Sequence, residues 1–153
     1  MPGLFGVDTP QKLYARLCRA LVAFAEQPSE DGVFDVIFPL CHLREWIYPA
    51  DHKTYAAVPE AERSAEQALH ARLYGLEAYQ VVLALCNNAK HFELRKAALA
   101  MEMLEGLRAG YGRAGDSLGV THFVVDGVEV RTHFDAVAAE YRAYFEAVAA
   151  KSG

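Results

Sequence analysis

Hydrophobic positions fall into helical registers over most of this chain. After Asp8 and Thr9, which can cap a helix, and Pro10, which suits a first turn, Leu13, Leu17, Leu21 and Phe24 recur at steps of four, four and three. That stripe predicts an amphipathic first helix closed by Pro28. A second helix is expected from about Ser29 to Tyr48, ahead of Pro49. Its stretch VFDVIFPLCHLREWIYP is apolar round most of its circumference, the mark of a buried central helix. Pro39 removes one backbone N–H in its middle and predicts a kink. Residues 50–58 read as a connection.

Pro59 can open a third helix. Along it Leu69, Leu73, Leu76, Gln80, Leu83 and Asn87 step alternately by four and three, the spacing of a face packed along a neighbouring helix. Gly75 divides it into pieces of about 60–74 and 76–91, and the second is apolar nearly all round from Ala78 to Cys86. Residues 93–108, rich in Ala, Leu, Glu and Met, read as a further helix by propensity. The glycines of GLRAGYGRAGDSLG then make a loop-like or mobile stretch.

A hairpin is expected over about 121–132. Thr121–Val125 and Val128–Thr132 flank Asp126-Gly127, a pair suited to a two-residue type I′ turn. Phe123, Val125, Val128 and Val130 would share its inner face. A final helix follows over about 135–151, with Val137, Tyr141, Tyr144, Phe145 and Val148 as its buried stripe. The fold class is therefore mainly α: an antiparallel bundle of four or five helices with a C-terminal β-hairpin followed by a final helix, in one domain spanning 1–153.

Length and composition narrow the setting. A chain of 153 residues fits one domain, large enough to bury roughly 68–70% of its unfolded surface. No apolar run approaches the ~20 residues of a membrane span, and the N-terminus lacks the basic start and apolar core of a signal peptide. The expectation is a cytoplasmic protein with no membrane partner. Cys18, Cys41 and Cys86 are odd in number and form no CxxC, so small buried hydrophobes are the default, with a nucleophilic Cys86 close to His91 as the alternative. A net charge of −5 argues against a dedicated DNA-binding domain, while leaving room for an RNA-cleaving enzyme with a small basic site.

Candidate chemistry sits on two helices. On the second, Asp35, His42, Glu45 and Trp46 project within a sector of roughly 100°. A histidine with a carboxylate three positions on can orient its imidazole, act as a general base or supply metal ligands. The plainer alternative is a histidine bonded to backbone. On the third, the leucine seam continues through Gln80, Asn87 and His91, with Lys90 at its edge. Polar groups on a packing face need partners across the bundle, as a structural network or as a pocket. His42, Glu45 and His91 are thus the candidate catalytic residues, and Trp46, Asn87 and Lys90 the candidate ligand-binding residues, with Lys90 drawing in an anion such as a phosphate. His42, Glu45 and His91 could equally make a three-ligand metal site with an open position. His52, His70, His122 and His133 read as surface or hairpin residues. No glycine loop lies between strand and helix to cradle a phosphate, and no GxSxG elbow is present.

The pairing of HLREW with a later NNAKHF, then a VDG hairpin and an aromatic final helix, resembles a group of small bacterial helical proteins. Residues 34–48, 82–92 and 120–148 carry the likeness, Asn87-Asn88-Ala89-Lys90-His91-Phe92 most specifically. That group is similar to HEPN-type domains, which implies a helical fold and a ribonuclease or toxin-associated role, with a nucleotide or RNA phosphate bound. The HEPN hallmark places an arginine a few residues ahead of a histidine; ahead of His91 stand Leu83, Ala84, Leu85 and Cys86. DinB-like bundles, which bind a metal through three histidines, offer a second comparison for His42, but their HxxxH on a later helix is absent here. The competing class is a non-catalytic interaction module, a homodimer or one half of a toxin–antitoxin or defence pair. The residues assign no cofactor.

Overall fold

The computed structural model describes residues 5–90 and 99–153. Two helices open it, α1 over Pro10–Glu26 and α2 over Glu30–Ile47. The Thr9 hydroxyl accepts from the Lys12 amide and the Ser29 hydroxyl from the Gly32 amide, so each helix starts on a side-chain cap. Leu17 and Phe24 bury the inner stripe of α1 as the spacing predicts. The two helices approach closely at Gly32, where a Cβ would meet the Phe24 ring at 2.7 Å.

Pro39 lies inside α2, which continues to Ile47, and in the turn after it two phenols bond the helix backbone. The Arg44 amide donates to the Tyr141 hydroxyl at 3.1 Å, which itself donates to the Leu40 carbonyl at 2.9 Å. The Tyr79 hydroxyl donates to the next carbonyl, Cys41, at 3.0 Å. Both phenols are fully buried. The helix is only partly enclosed: Phe34 and Phe38 remain about half exposed and Trp46 over a third, so the expected all-round burial fails on one side of α2.

Single-turn 3-10 segments at His52–Thr54 and Glu60–Glu62 follow. The next α-helix, α3, runs Ala65–Gly75, five residues later than Pro59 allows. It starts where Ser64 and Gln67 cap each other's amides in a capping box, which satisfies two orphan donors at once. At Leu76 the backbone is extended, and α4 restarts over Glu77–Lys90. This break rotates the leucine seam. Its α3 half, Leu69 and Leu73, is buried, but α4 turns Ala78, Tyr79, Val82, Leu85 and Cys86 inward. Gln80 and Asn87 are exposed, and Gln80 donates to the Tyr74 carbonyl at the break.

Of the helix expected over 93–108, residues 93–98 lie outside the described residues, and Met101–Glu105 form strand β1 instead. It pairs antiparallel with β2, Thr121–Val125, which pairs with β3, Val128–Glu129, giving the sheet order β1-β2-β3. Helix propensity is a weak preference that pairing to a sheet overrides. Asp126 and Gly127 take the positive φ of the expected turn, and Asp126 also ties down Ala100 through its amide and its carboxylate. The second hairpin strand stops at Glu129, because the Glu129 carboxylate accepts from the Arg131 amide and caps α5, Val130–Lys151. Residues 130–132 are therefore helical, Val128 is exposed, and Val124 joins Val125 and Val130 in the core. Phe24 meets Phe123 and Phe134 where sheet and helices join.

The loop between β1 and β2 is tied to α5. Arg131 bonds Asp116 through both terminal nitrogens, at 2.7 and 3.0 Å, and Glu129 at 2.9 Å, all nearly buried. Arg131 thereby holds the Asp116 carboxyl well below its ordinary range, at about 2. Among the described residues, no helix is long and apolar enough to cross a membrane.

Replacing Tyr141 with Phe leaves the Leu40 carbonyl and the Arg44 amide without their inserted partner. An unsatisfied buried group costs about 1–3 kcal/mol. Urea unfolding of Tyr141→Phe should show a loss in that range, and a midpoint equal to the parent's would mean that the turn closes unaided.

Candidate functional site

The turn completed by Tyr141 and Tyr79 carries Cys41, His42, Arg44 and Glu45, and its chemistry faces two ways. On one side His42 lies between a carboxylate and a thiol. Its Nδ1 is 3.2 Å from Glu45 Oε2, and its Nε2 is 3.7 Å from Cys86 Sγ on α4. A carboxylate beside Nδ1 places the proton there, so the Nε2 lone pair turns toward the thiols. Cys41 adds a second thiol: one donor atom from each of Cys41, His42 and Cys86 lies within 4.8 Å of the others.

Both thiols are buried, Cys86 completely. Their acidities diverge. The neighbouring Cys41 thiol, with Lys90 and His42 nearby, pulls the Cys86 thiol below its ordinary value against the opposing effect of burial. The Cys86 thiol, with burial, pushes Cys41 up.

His42 also lines an open cleft of about 610 Å³ beside α2. Phe34, Phe38, His42 and Trp46 follow one another at steps of four and form a single ladder up the helix, and all four border the cleft. Leu13 and Arg16 of α1 close one side and Lys90 of α4 reaches in, with its Nζ 5.8 Å from the Phe38 ring centre. The carboxylates nearby have cations beside them. Asp35 lies 4.0 Å from Arg16, and Glu45 is bonded by His42 and Arg44.

Four of the six residues singled out from the sequence are thus neighbours: His42, Glu45, Trp46 and Lys90. Asn87 is exposed and absent from the cleft lining, because the break at Leu76 turned α4 away from the α3 seam. His91 lies outside the described residues, and with it the metal set of His42, Glu45 and His91. Sequence reasoning missed the convergence of Cys41 and Cys86 on His42. The readable signal was the adjacency of Cys41 and His42, and Cys86 one turn before Lys90 on the face that α4 buries.

On its other side the turn sends Arg44 into a buried network. Arg44 donates to the Tyr79 hydroxyl at 2.9 Å and to His70 Nε2 at 2.5 Å, while His70 Nδ1 bonds the Tyr55 hydroxyl. His70 is a core residue, 1% exposed, rather than the surface histidine expected. His122 is likewise fully buried beside Arg131, because the β1–β2 loop and α5 close over the hairpin.

Burial first, and the Arg44 charge second, push the His70 pKa from 6.5 down to about 4. Between these values the unfolded chain takes up a proton that the folded chain refuses. The stability His70 contributes is therefore complete above pH 6.5, declines as pH falls through this window, and is lost below about pH 4. Urea midpoints measured across the window should fall more steeply for the parent than for His70→Gln. Equal slopes would mean that other groups govern the acid limb.

Comparison of the chain with protein families, with curated proteins and with solved structures finds no match.

Proposed function

We propose that this chain binds a small planar anion of the nucleotide class in the cleft beside α2. The observation that carries the reading is the ladder of Phe34, Phe38 and Trp46, left exposed on a helix whose other faces are packed, with Lys90 above its middle ring. Phe34, Phe38 and Trp46, with the His42 ring filling the turn between the last two, offer stacking surface to a base, and stacking of this kind contributes about 1–3 kcal/mol per base. A cation at the edge of the rings then selects ligands with a negative group, since Asp35 already has Arg16 beside it and Glu45 has Arg44. A volume of about 610 Å³ lies within the roughly 300–1,000 Å³ typical of small-molecule sites. On this reading the nucleotide or RNA phosphate expected from the sequence is a single nucleotide unit, held by Trp46 and Lys90.

Trp46 is the one tryptophan of the chain, so its fluorescence reports on the cleft directly. Titration with the four nucleoside monophosphates should give saturable quenching by at least one of them, with the matching nucleoside several-fold weaker. Phe38→Ala should weaken binding by roughly 5- to 150-fold, the equivalent of one stacking partner. Lys90→Ala should bring nucleotide and nucleoside to equal affinity and flatten the salt dependence. Absence of saturable quenching by any nucleotide, or quenching unchanged in both variants, sinks the reading.

A further inference from the structure

We propose that Cys41, His42 and Cys86 form a three-ligand site for a borderline-soft divalent ion, Zn2+ above all, at the wall of the cleft. The site goes beyond nucleotide binding and does not depend on it. Its donor chemistry is two thiols and one imidazole, the ligand types that zinc takes and that hard cations avoid. Its dimensions agree. A tetrahedral ion with Zn–S near 2.3 Å and Zn–N near 2.0–2.1 Å separates its sulfur and nitrogen donors by roughly 3.6 Å. The separation between Cys86 Sγ and His42 Nε2 is 3.7 Å. Among the described residues, this is the group whose donor atoms converge so closely.

Three further features fit an ion better than other thiol chemistry. The first is the support around His42: Glu45 at 3.2 Å fixes the Nδ1–H tautomer and leaves Nε2 free, the carboxylate–histidine arrangement that orients metal-bound imidazoles. The second is charge. Two thiolates balance a divalent ion, and the neutral imidazole adds nothing, so the buried site carries no net charge and avoids the penalty of an unpaired one. The third is access. Cys86 is completely buried and is not part of the cleft lining, so a substrate carbon cannot reach it, whereas an ion seated beside His42 can. His42 is the one ligand of the three that borders the cleft, so a fourth ligand, water or a bound anion, would come from that side.

The backbone is held for the purpose by groups outside the site. Adjacent residues on a regular helix diverge by about 100°, yet Cys41 and His42 both reach toward Cys86. They do so from the turn after Pro39, where Tyr79 grips the Cys41 carbonyl and Tyr141 spans Leu40 to Arg44.

Titration of the untagged, anaerobically reduced protein with Co2+ tests the proposal directly. Saturation at one equivalent is expected, with thiolate-to-cobalt charge-transfer bands and the intense visible bands of a tetrahedral ion, and stoichiometric displacement by Zn2+. Cys86→Ala and Cys41→Ala should each lower Zn2+ affinity at least a hundredfold against a competing chromogenic chelator. Glu45→Gln, which alters no ligand atom, should lower it by about 10- to 100-fold. A parent spectrum without thiolate charge transfer overturns the site whatever the variants do, so a misfolded variant cannot rescue or obscure it. Zn2+ affinity unchanged in folded Cys86→Ala overturns it equally.

Discussion

The backbone of α2, in the turn after Pro39, is bonded by side chains from two other helices. Tyr141 of α5 inserts its hydroxyl between Leu40 and Arg44, and Tyr79 of α4 donates to Cys41. The two phenols are among the largest fully buried side chains, so their hydroxyls lie far from water and need partners as much as the carbonyls do. These bonds to a single turn of α2 therefore tie α2, α4 and α5 together. Whatever the turn carries is fixed with it: Cys41 and His42 toward one side, Arg44 toward the other.

This explains which parts of the structure were legible in the sequence. Caps, prolines and the Asp126-Gly127 turn act locally, and α1, α2 and that turn stand where they predict, although α3 opens at Ser64 rather than at Pro59. The phenol bonds to α2 were not legible, because Tyr79 and Tyr141 lie 38 and 101 residues from the carbonyls they bond. The two errors of register also have physical causes. Extrapolating the α3 leucine seam to Asn87 assumed a continuous helix, whereas the extended backbone at Leu76 resets the angle. Reading residues 101–105 as helix weighed composition alone, whereas β2 offers an antiparallel partner along its whole length.

The candidate site was half legible. A histidine and a carboxylate three residues apart on one helix are neighbours by helical geometry, and His42 and Glu45 meet as that spacing requires. Nothing local, however, says which residue of another helix faces the remaining ring nitrogen. Sequence reasoning placed Cys86 beside His91, its neighbour in the chain. The fold brings it to His42, 44 residues away. Odd number and lack of CxxC spacing argued for inert thiols, but these rules describe motifs carried on one segment, and a pair shared between α2 and α4 escapes them.

The two histidines flanking the turn show how burial separates structure from chemistry. His70 has both ring nitrogens engaged, one by Arg44 and one by Tyr55, and its charged form is suppressed by burial and by the guanidinium beside it. It has no capacity left for a ligand, and its place in the core follows. His42 has one nitrogen engaged by Glu45 and the other turned to a pair of thiols, at the border of a cleft. A residue selected for packing alone would gain nothing from that arrangement, because an apolar side chain of similar size would fill the space without a carboxylate to orient it. The ladder of exposed rings points the same way. Phe34, Phe38 and Trp46 forgo burial on the very helix whose other faces are closed by α1, α4 and α5, and a half-exposed aromatic ring forfeits part of the roughly 1.5–3 kcal/mol that burial offers a large apolar side chain. The asymmetry of α2, closed on its structural sides and open along the ladder, makes the cleft the place where binding has something to gain.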